Sequence, residues 1–230
     1  MKILTIDTSS NCSSVALSSG TSLLGECILG EDRCHSGRLL DSISQLLKAA
    51  GLSPDTLDAF AVSLGPGSFT GVRVGIATVK GLAIATGKPV VGFSSLAMLA
   101  MNLPFSCAQV APMFDARKSE VYAALYRCGQ IPEPVTPDAV LPPERFLAGI
   151  DSPTLFLGEG ALRYRELIRS TLGHLALFSP WHADLPRASA GAVIALHAAL
   201  KGNFTPLALL NPTYLRASEA ELARRRRESN

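Results

Sequence analysis

The sequence is poor in the signatures of an ordinary catalyst. Its four histidines, His35, His174, His182 and His197, stand at no metal-ligand spacing, and no H-E-x-x-H segment occurs. Its five cysteines, Cys12, Cys27, Cys34, Cys107 and Cys128, are odd in number and form no C-x-x-C pair. That argues against a disulfide framework or a zinc ribbon, and for small apolar side chains in a reducing compartment. No G-x-S-x-G elbow marks Ser68 as a nucleophile, and the glycine-rich segment around it lacks the Lys-Ser/Thr ending of a P-loop. Charged residues make up only 17% of the chain and the net charge is +2. Arg224, Arg225, Arg226 and Arg227 account for four positive charges, which leaves −2 for the remainder. A nucleic-acid grip over the whole surface is therefore not expected. The arginine run reads either as a solvated terminus or as a phosphate-contacting arm. Asp7 cuts the first apolar run too early for a signal peptide. The apolar segment 72–85 holds Arg73 and Lys80, so it reads as a buried or interface helix and not as a membrane span. The expectation is a cytoplasmic protein with no membrane partner.

What the chain does have is apolar mass in a regular order. Hydrophobic residues are 47% of 230, enough to offset the ordering entropy of a folded core. Strand-like runs fall at 2–6, 14–17 and 23–29. A helical run follows at 36–50, with Leu39, Leu40, Ile43, Leu46 and Leu47 at helical spacing and Gly51 after it. A strand at 57–64, a helix at 72–86 that Thr70 could cap, a strand at 89–93 and a short helix capped by Ser94 or Ser95 complete the first half. The second half repeats the theme: strands at 109–114 and 121–126, a proline-rich surface connection at 131–143, and a short helix at 144–148. A strand at 155–157, a helix at 162–172, a strand at 175–178 and a helix at 190–201 follow. Three strands and then alternating helices and strands is the ribonuclease-H-like order. Two such units in tandem give an α/β actin-like (ASKHA) fold, with lobes at 1–104 and 105–230.

Three motifs stand out. Asp7-Thr8-Ser9-Ser10 ends a central strand, where hydroxyls and backbone N–H groups can face a phosphate, although strand-ending Asx and Ser turns are common. Gly65-Pro-Gly-Ser-Phe-Thr-Gly71 opens directly into a helix, so it is either an anion-binding or partner-docking loop or a tightly packed turn. Asp115-Ala-Arg-Lys-Ser-Glu-Val-Tyr122 places charges between two strands of the second half, either as an echo of Asp7 facing the same cleft or as a solvated hairpin.

With the late segment Pro212-Thr-Tyr-Leu-Arg216, these stretches resemble the TsaB (YeaZ-type) family of bacterial threonylcarbamoyladenosine biosynthesis subunits, over nearly the whole chain. The resemblance implies two ribonuclease-H-like lobes. It implies pairing with the TsaD-type paralogue that performs the transfer to tRNA, association with a TsaE-type ATPase, and a homodimer in isolation. It implies no tightly bound cofactor, with ATP or ADP at the partner interface left open. Asp7, Thr8, Gly65, Gly67 and Asp115 become the candidate nucleotide or anion cleft. The paralogue's metal-binding histidines would fall at Ser95 and Leu99, neither a competent ligand. The family's docking surface is the pair of first-lobe helices, where Leu40, Ile43, Leu47, Val72, Ile76 and Val79 are the candidate contacts, unless those side chains merely cover their own sheet. The functional expectation is a non-catalytic scaffold or activator. The alternatives are an ATP-dependent group transferase acting in its own interlobe cleft, and a peptidase.

Overall fold

The computed structural model describes residues 1–30 and 35–216. The first lobe is built on strands β1 (Lys2–Asp7), β2 (Ser13–Ser19), β3 (Ser22–Leu29), β4 (Ala59–Ser63) and β5 (Val90–Phe93), with helices α1 (His35–Ala49), α2 (Phe69–Thr86) and α3 (Ser95–Ala100). Its sheet has the order β3-β2-β1-β4-β5. The first three strands are antiparallel and β1, β4 and β5 are parallel. The second lobe contributes β6 (Gln109–Arg117), β7 (Glu120–Ala123), β8 (Tyr126–Cys128), β9 (Pro132–Pro134), β10 (Ala139–Leu141), α4 (Pro143–Leu147), β11 (Thr154–Leu157), α5 (Glu159–Arg163), α6 (Arg165–Leu172), β12 (Ala176–Phe178) and α7 (Ala188–Leu200). Its principal order, β10-β7-β6-β11-β12, reproduces that of the first sheet strand for strand.

The period-2 geometry of β1 and β4 explains why both strands read as continuous apolar runs. Leu4, Ile6, Phe60 and Val62 point to one face and pack with Leu39, Ile43 and Leu47 of α1 and Val72, Ile76, Val79 and Ala83 of α2. Ile3, Ala59 and Ala61 point to the other face and pack with Ala190, Ala195 and Ala199 of α7. Both faces are covered, so the polar alternation of a half-exposed strand is absent. On the buried side of α7 the side chains are small, and a Cβ on Gly191 would come within 2.7 Å of the Phe93 ring. The helix can therefore lie close on the sheet.

Expectation and structure differ in several places. The lobe boundary near 104 holds for the first crossing only, and the second lobe does not run to the C-terminus. α7 packs on the first sheet, and the strap beyond it pairs with β5 through Thr205 N donating to Val90 O at 2.7 Å and buries Leu210 in the first core. Conversely, α3 of the first lobe places Leu96, Leu99 and Ala100 among Val110, Phe114, Ala124, Tyr126 and Leu157 of the second. The two lobes exchange helices. The proline-rich stretch is not only a connection: it supplies β9 and β10, and β10 is the edge strand that completes the second sheet. The helix expected at 162–172 is two helices broken at Tyr164 (φ −102°, ψ 19°). α2 begins at Phe69, capped by Ser68 and not by Thr70, with Ser68 Oγ accepting from Gly71 N at 3.3 Å. Among the described residues α2 is the one helix long and apolar enough to cross a membrane, 18 residues with mean hydropathy 1.2. Its stripe of Val72, Ile76, Val79 and Ala83, buried in the first core, accounts for that apolarity.

The N-terminus of α7 is tied to the first sheet by polar contacts. Ala188 N donates to Ser14 Oγ at 2.8 Å. The Glu26 carboxylate accepts from Ser189 N at 2.8 Å and from the Arg187 guanidinium at 2.6 and 3.1 Å. The carboxylate thus meets the positive end of the helix dipole as well as a cation. Glu26→Ala should lower stability by about 2 kcal/mol, a fall in Tm of roughly 4–8 °C for a chain of this size. Thermal denaturation checks this, with Glu133→Ala on the exposed edge of β9 expected to change little.

Candidate functional site

Because β1, β4 and β5 run parallel, their carboxyl ends share one edge, and the first two motifs meet there. Asp7 is fully buried. Its Oδ1 accepts from Ser9 N at 3.2 Å and from the Ser63 hydroxyl at the end of β4. Thr8 Oγ1 donates to Gly71 O at 2.7 Å, and Ser68 N donates to Ser9 O at 2.6 Å. Ser95 N donates to Gly65 O at 2.9 Å, its hydroxyl donates to Pro66 O, and Thr213 N donates to Leu64 O at 2.7 Å. The Gly65–Pro66 peptide is cis.

The glycines are required by this packing. A Cβ on Gly67 would lie 2.1 Å from Ser9 O, one on Gly71 2.1 Å from Thr8 O, and one on Gly75 2.5 Å from Thr8 Oγ1. Gly65 is left-handed at φ 98°. The loop therefore rests backbone-to-backbone on the Thr8–Ser9 turn. Of the donors at this turn, Ser9 N, Thr8 Oγ1 and Ser68 N are engaged within the chain, whereas the buried Ser9 hydroxyl has no hydrogen-bond partner among the described residues.

Of the five expected cleft residues, four converge: Asp7, Thr8, Gly65 and Gly67. Asp115 does not join them through any hydrogen bond among the described residues. It sits in the β6–β7 hairpin, its Oδ1 accepting from Arg117 N at 2.9 Å and its Oδ2 paired with Arg163 of α5. Sequence reasoning missed Ser63, which reaches the site from 56 residues away and carries no local signal, and it singled out the segment of Thr213 without placing it at this site. Ser95 and Leu99, where the paralogue's histidines would fall, are both fully buried. Leu99 belongs to the interlobe apolar cluster.

The expected docking face also needs correction. Ile43, Leu47, Val72, Ile76 and Val79 are at most 4% exposed and belong to the first core. A helix on a sheet must bury its most apolar stripe, and these residues are that stripe. Of the six, only Leu40 points outward, 58% exposed. The outward side of α2 carries Ala77, Gly81, Ile84 and Ala85, with Ile84 at 72% exposure. A groove of about 440 Å³ runs along α1, lined by Leu40, Ile43, Ser44, Leu47 and Lys48 together with Leu52 and, from α2, Leu82, so the inward-facing Ile43 and Leu47 also border it. The Arg224–Arg227 run lies outside the described residues.

Where the lobes meet, Asp138 accepts from Ser94 Oγ at 2.5 Å and from Tyr126 OH at 2.7 Å. Burial and then the adjacent Asp138 carboxylate push the Tyr126 phenol far above its ordinary range. Burial alone raises the Cys128 thiol from 9.0 to about 11. Both groups hold their protons more tightly when folded. Their contribution to stability is complete below the unfolded-state values and is lost as pH rises through the folded ones.

Gly67→Ala and Gly71→Ala should each destabilise the protein by about 3 kcal/mol or more through overpacking. Gly81→Ala, whose Cβ meets nothing within 4 Å, should add up to about 1 kcal/mol in helix propensity. Urea titrations would separate the three. Stability should also fall as pH rises from 9 through 11, and Cys128→Ala should flatten part of that fall. In native protein at pH 8, Cys107, which is exposed, should react with a thiol reagent while buried Cys128 stays silent until denaturant is added.

Comparison with known proteins places the chain. Residues 29–224 match the family model described as TsaD, tRNA N6-adenosine threonylcarbamoyltransferase. The chain is 33% identical over 225 residues to the tRNA threonylcarbamoyladenosine biosynthesis protein TsaB of Bacillus subtilis, covering 96% of each. It is 37% identical to TsaB of Escherichia coli over 129 residues, 55% of each. The structure superposes on YeaZ from Pseudomonas aeruginosa with a TM-score of 0.83 at 34% identity, over 93% of this chain and 99% of that one. A second Pseudomonas aeruginosa structure, described as similar to peptidase YEAZ, gives 0.81 at 34% over 94% and 99%. More distant likeness shows the fold alone: component A of the Acidaminococcus fermentans (R)-2-hydroxyglutaryl-CoA dehydratase reaches 0.54 at 14% identity, over 87% of this chain and 99% of that one. With near-complete coverage of both chains in sequence and in structure, this protein belongs to the TsaB (YeaZ-type) family of tRNA threonylcarbamoyladenosine biosynthesis proteins.

Proposed function

We propose that this chain is the non-catalytic scaffold or activator subunit of the complex that installs threonylcarbamoyl on the adenosine 3′ of the tRNA anticodon. Its partner is a TsaD-type paralogue, a TsaE-type ATPase joins them, and the assembly is cytoplasmic. The observation that carries the reading is the state of the glycine site. The turn at Thr8–Ser9 that could cradle a phosphate is packed against the loop, and the positions of the paralogue's metal ligands are a buried serine and a buried leucine. The fold is kept, while the features a transferase would need are converted to packing. In this reading any ATP or ADP binds at the interface with the partner. Neither the group-transferase reading nor the peptidase reading is favoured by a side-chain arrangement among the described residues.

Docking uses the outer side of α1 and α2. Leu40 and Ile84 are large apolar side chains held in solvent, and Ala77 and Gly81 between them let a partner helix approach closely. The same face would pair two copies of this chain when the partner is absent.

Reconstitution tests both statements. The paralogue, threonylcarbamoyl-adenylate, ATP, the ATPase subunit and unmodified tRNA are combined with and without this chain, and nucleosides are read by mass spectrometry. Modification should require both chains, and this chain alone should give none. Equal activity of the paralogue without it would overturn the reading. Ile84→Glu should weaken capture of the paralogue at least tenfold while leaving Tm within about 2 °C, as expected of an exposed position.

A further inference from the structure

The segment 212–216 brings an aromatic ring to the first turn of α2. Thr213 N donates to Leu64 O at 2.7 Å, which fixes the strap beside the glycine loop. Tyr214 then stacks on Phe69, the first residue of α2, with ring centroids 5.1 Å apart and an interplanar angle of 28°. Arg73 closes the group from one helical turn further on. Its guanidinium carbon lies 3.8 Å from the centroid of the Phe69 ring and 5.4 Å from that of Tyr214, and its Nε donates to the Tyr214 hydroxyl. The rings remain open to solvent, Phe69 at 39% and Tyr214 at 45%, and Arg73 is exposed. The sheet-facing side of α2 is filled by Val72, Ile76 and Val79, so this cluster adds nothing to the core.

The arrangement orders the arginine before anything binds. Stacking on Phe69 and the bond to Tyr214 restrict its side chain, so less conformational freedom is lost when it grips a ligand. Among the described residues no carboxylate pairs with Arg73, and its Nη groups donate no hydrogen bond. α2 itself carries Arg73 and Lys80 and neither aspartate nor glutamate. A planar fork with its terminal N–H groups unengaged, on a helix with no negative charge, matches a carboxylate. The stripe beyond the cluster indicates what presents that carboxylate. From Arg73 the outward side of α2 continues through Ala77 and Gly81 to Ile84. About 22 Å of helix separates Phe69 from Ile84. Small side chains and one large apolar one suit a helix laid closely against α2. A nucleic-acid backbone would instead meet cations along its path.

We propose that Phe69, Arg73 and Tyr214 are the anchor of the docking face and take a carboxylate from a helix of the paralogue, gripped by both Nη groups of Arg73 while the two rings pack around its stem. The proposal rests on the docking reading above and gives that face a direction: the acidic side chain enters at the Phe69 end, and the close helix contact follows toward Ile84. α2 of a second copy has no carboxylate to offer, so the anchor favours the paralogue over self-pairing.

The test measures capture of the paralogue by the full chain, using biolayer interferometry across a potassium chloride series. Arg73→Gln should weaken Kd about twentyfold near 0.1 M salt, and most of the salt dependence seen with wild type should disappear. Arg73→Lys keeps the charge without the planar fork and should weaken capture about fivefold. Tyr214→Phe keeps the ring stack and removes only the hydroxyl that holds Nε, for a loss of about threefold. All three should keep Tm within about 2 °C, as expected of exposed positions. If Arg73→Gln matches wild type in Kd and salt dependence while Ile84→Glu still weakens capture, the docking face stands and the anchor does not. If Ile84→Glu also has no effect, the docking reading falls and takes the anchor with it. If Arg73→Gln leaves capture intact and weakens tRNA binding by the assembled complex, the cluster is an RNA contact and the proposal is overturned. Should Arg73→Gln fail to fold, Arg73→Lys decides, and wild-type affinity in that variant overturns the proposal.

Discussion

The carbonyl oxygens of Thr8 and Ser9 lie 2.1 Å from where side chains would begin on Gly71 and Gly67. This close approach of two backbone segments sets much of the rest. It places the first turn of α2 directly over the end of β1, which fixes which stripe of α2 meets the sheet and which stripe faces outward. Around it the Thr8 hydroxyl and the Ser9 and Ser68 amides are engaged within the chain. It leaves Asp7 buried, its carboxylate accepting from Ser63 and from the Ser9 amide.

The second constraint is the exchange of helices. α3 leaves the first sheet to cover the second, and α7 leaves the second to cover the first. Neither sheet has two covered faces without a helix contributed by the other half, so the lobes are not independent folding units in the sense that a sequence boundary suggests. The polar ties at the crossing points reinforce this. Glu26 holds the start of α7, and Asp138 links the cap of α3 through Ser94 to Tyr126 in β8. The strap after α7 extends the same logic. It pairs with β5, touches the glycine loop at Leu64, stacks Tyr214 on Phe69 at 5.1 Å between ring centroids, and ends with Arg216 on the hairpin of the second lobe.

Much of the fold was legible because local periodicity follows burial. The unbroken apolar runs of β1 and β4 signalled strands covered on both faces, and Leu39, Ile43 and Leu47 at spacings of four signalled the buried side of α1. The strand-and-helix order was enough to suggest the tandem ribonuclease-H-like units. The same periodicity misled where function was concerned. It identifies the side of a helix that is apolar, which on a sheet is the side facing inward, so five of the six docking residues inferred, all but Leu40, were core residues. The outward face of α2 is marked by small residues and one isoleucine, a pattern with no amphipathic signal. β10 was hidden in a proline-rich stretch, because its three residues pair with β7 on an edge where proline nearby is tolerated.

By itself the sequence determined most of the element order and the glycine-rich loop, because each depends on residue type or on spacing within one element. Only the tertiary structure decided that the glycines exist for Thr8 and Ser9, that Asp115 belongs with Arg163 and not with Asp7, and that α7 closes the first sheet. These are meetings of segments far apart in the chain. Which segments meet is set by how apolar faces from both halves are buried together, a collective outcome that no single stretch of sequence encodes.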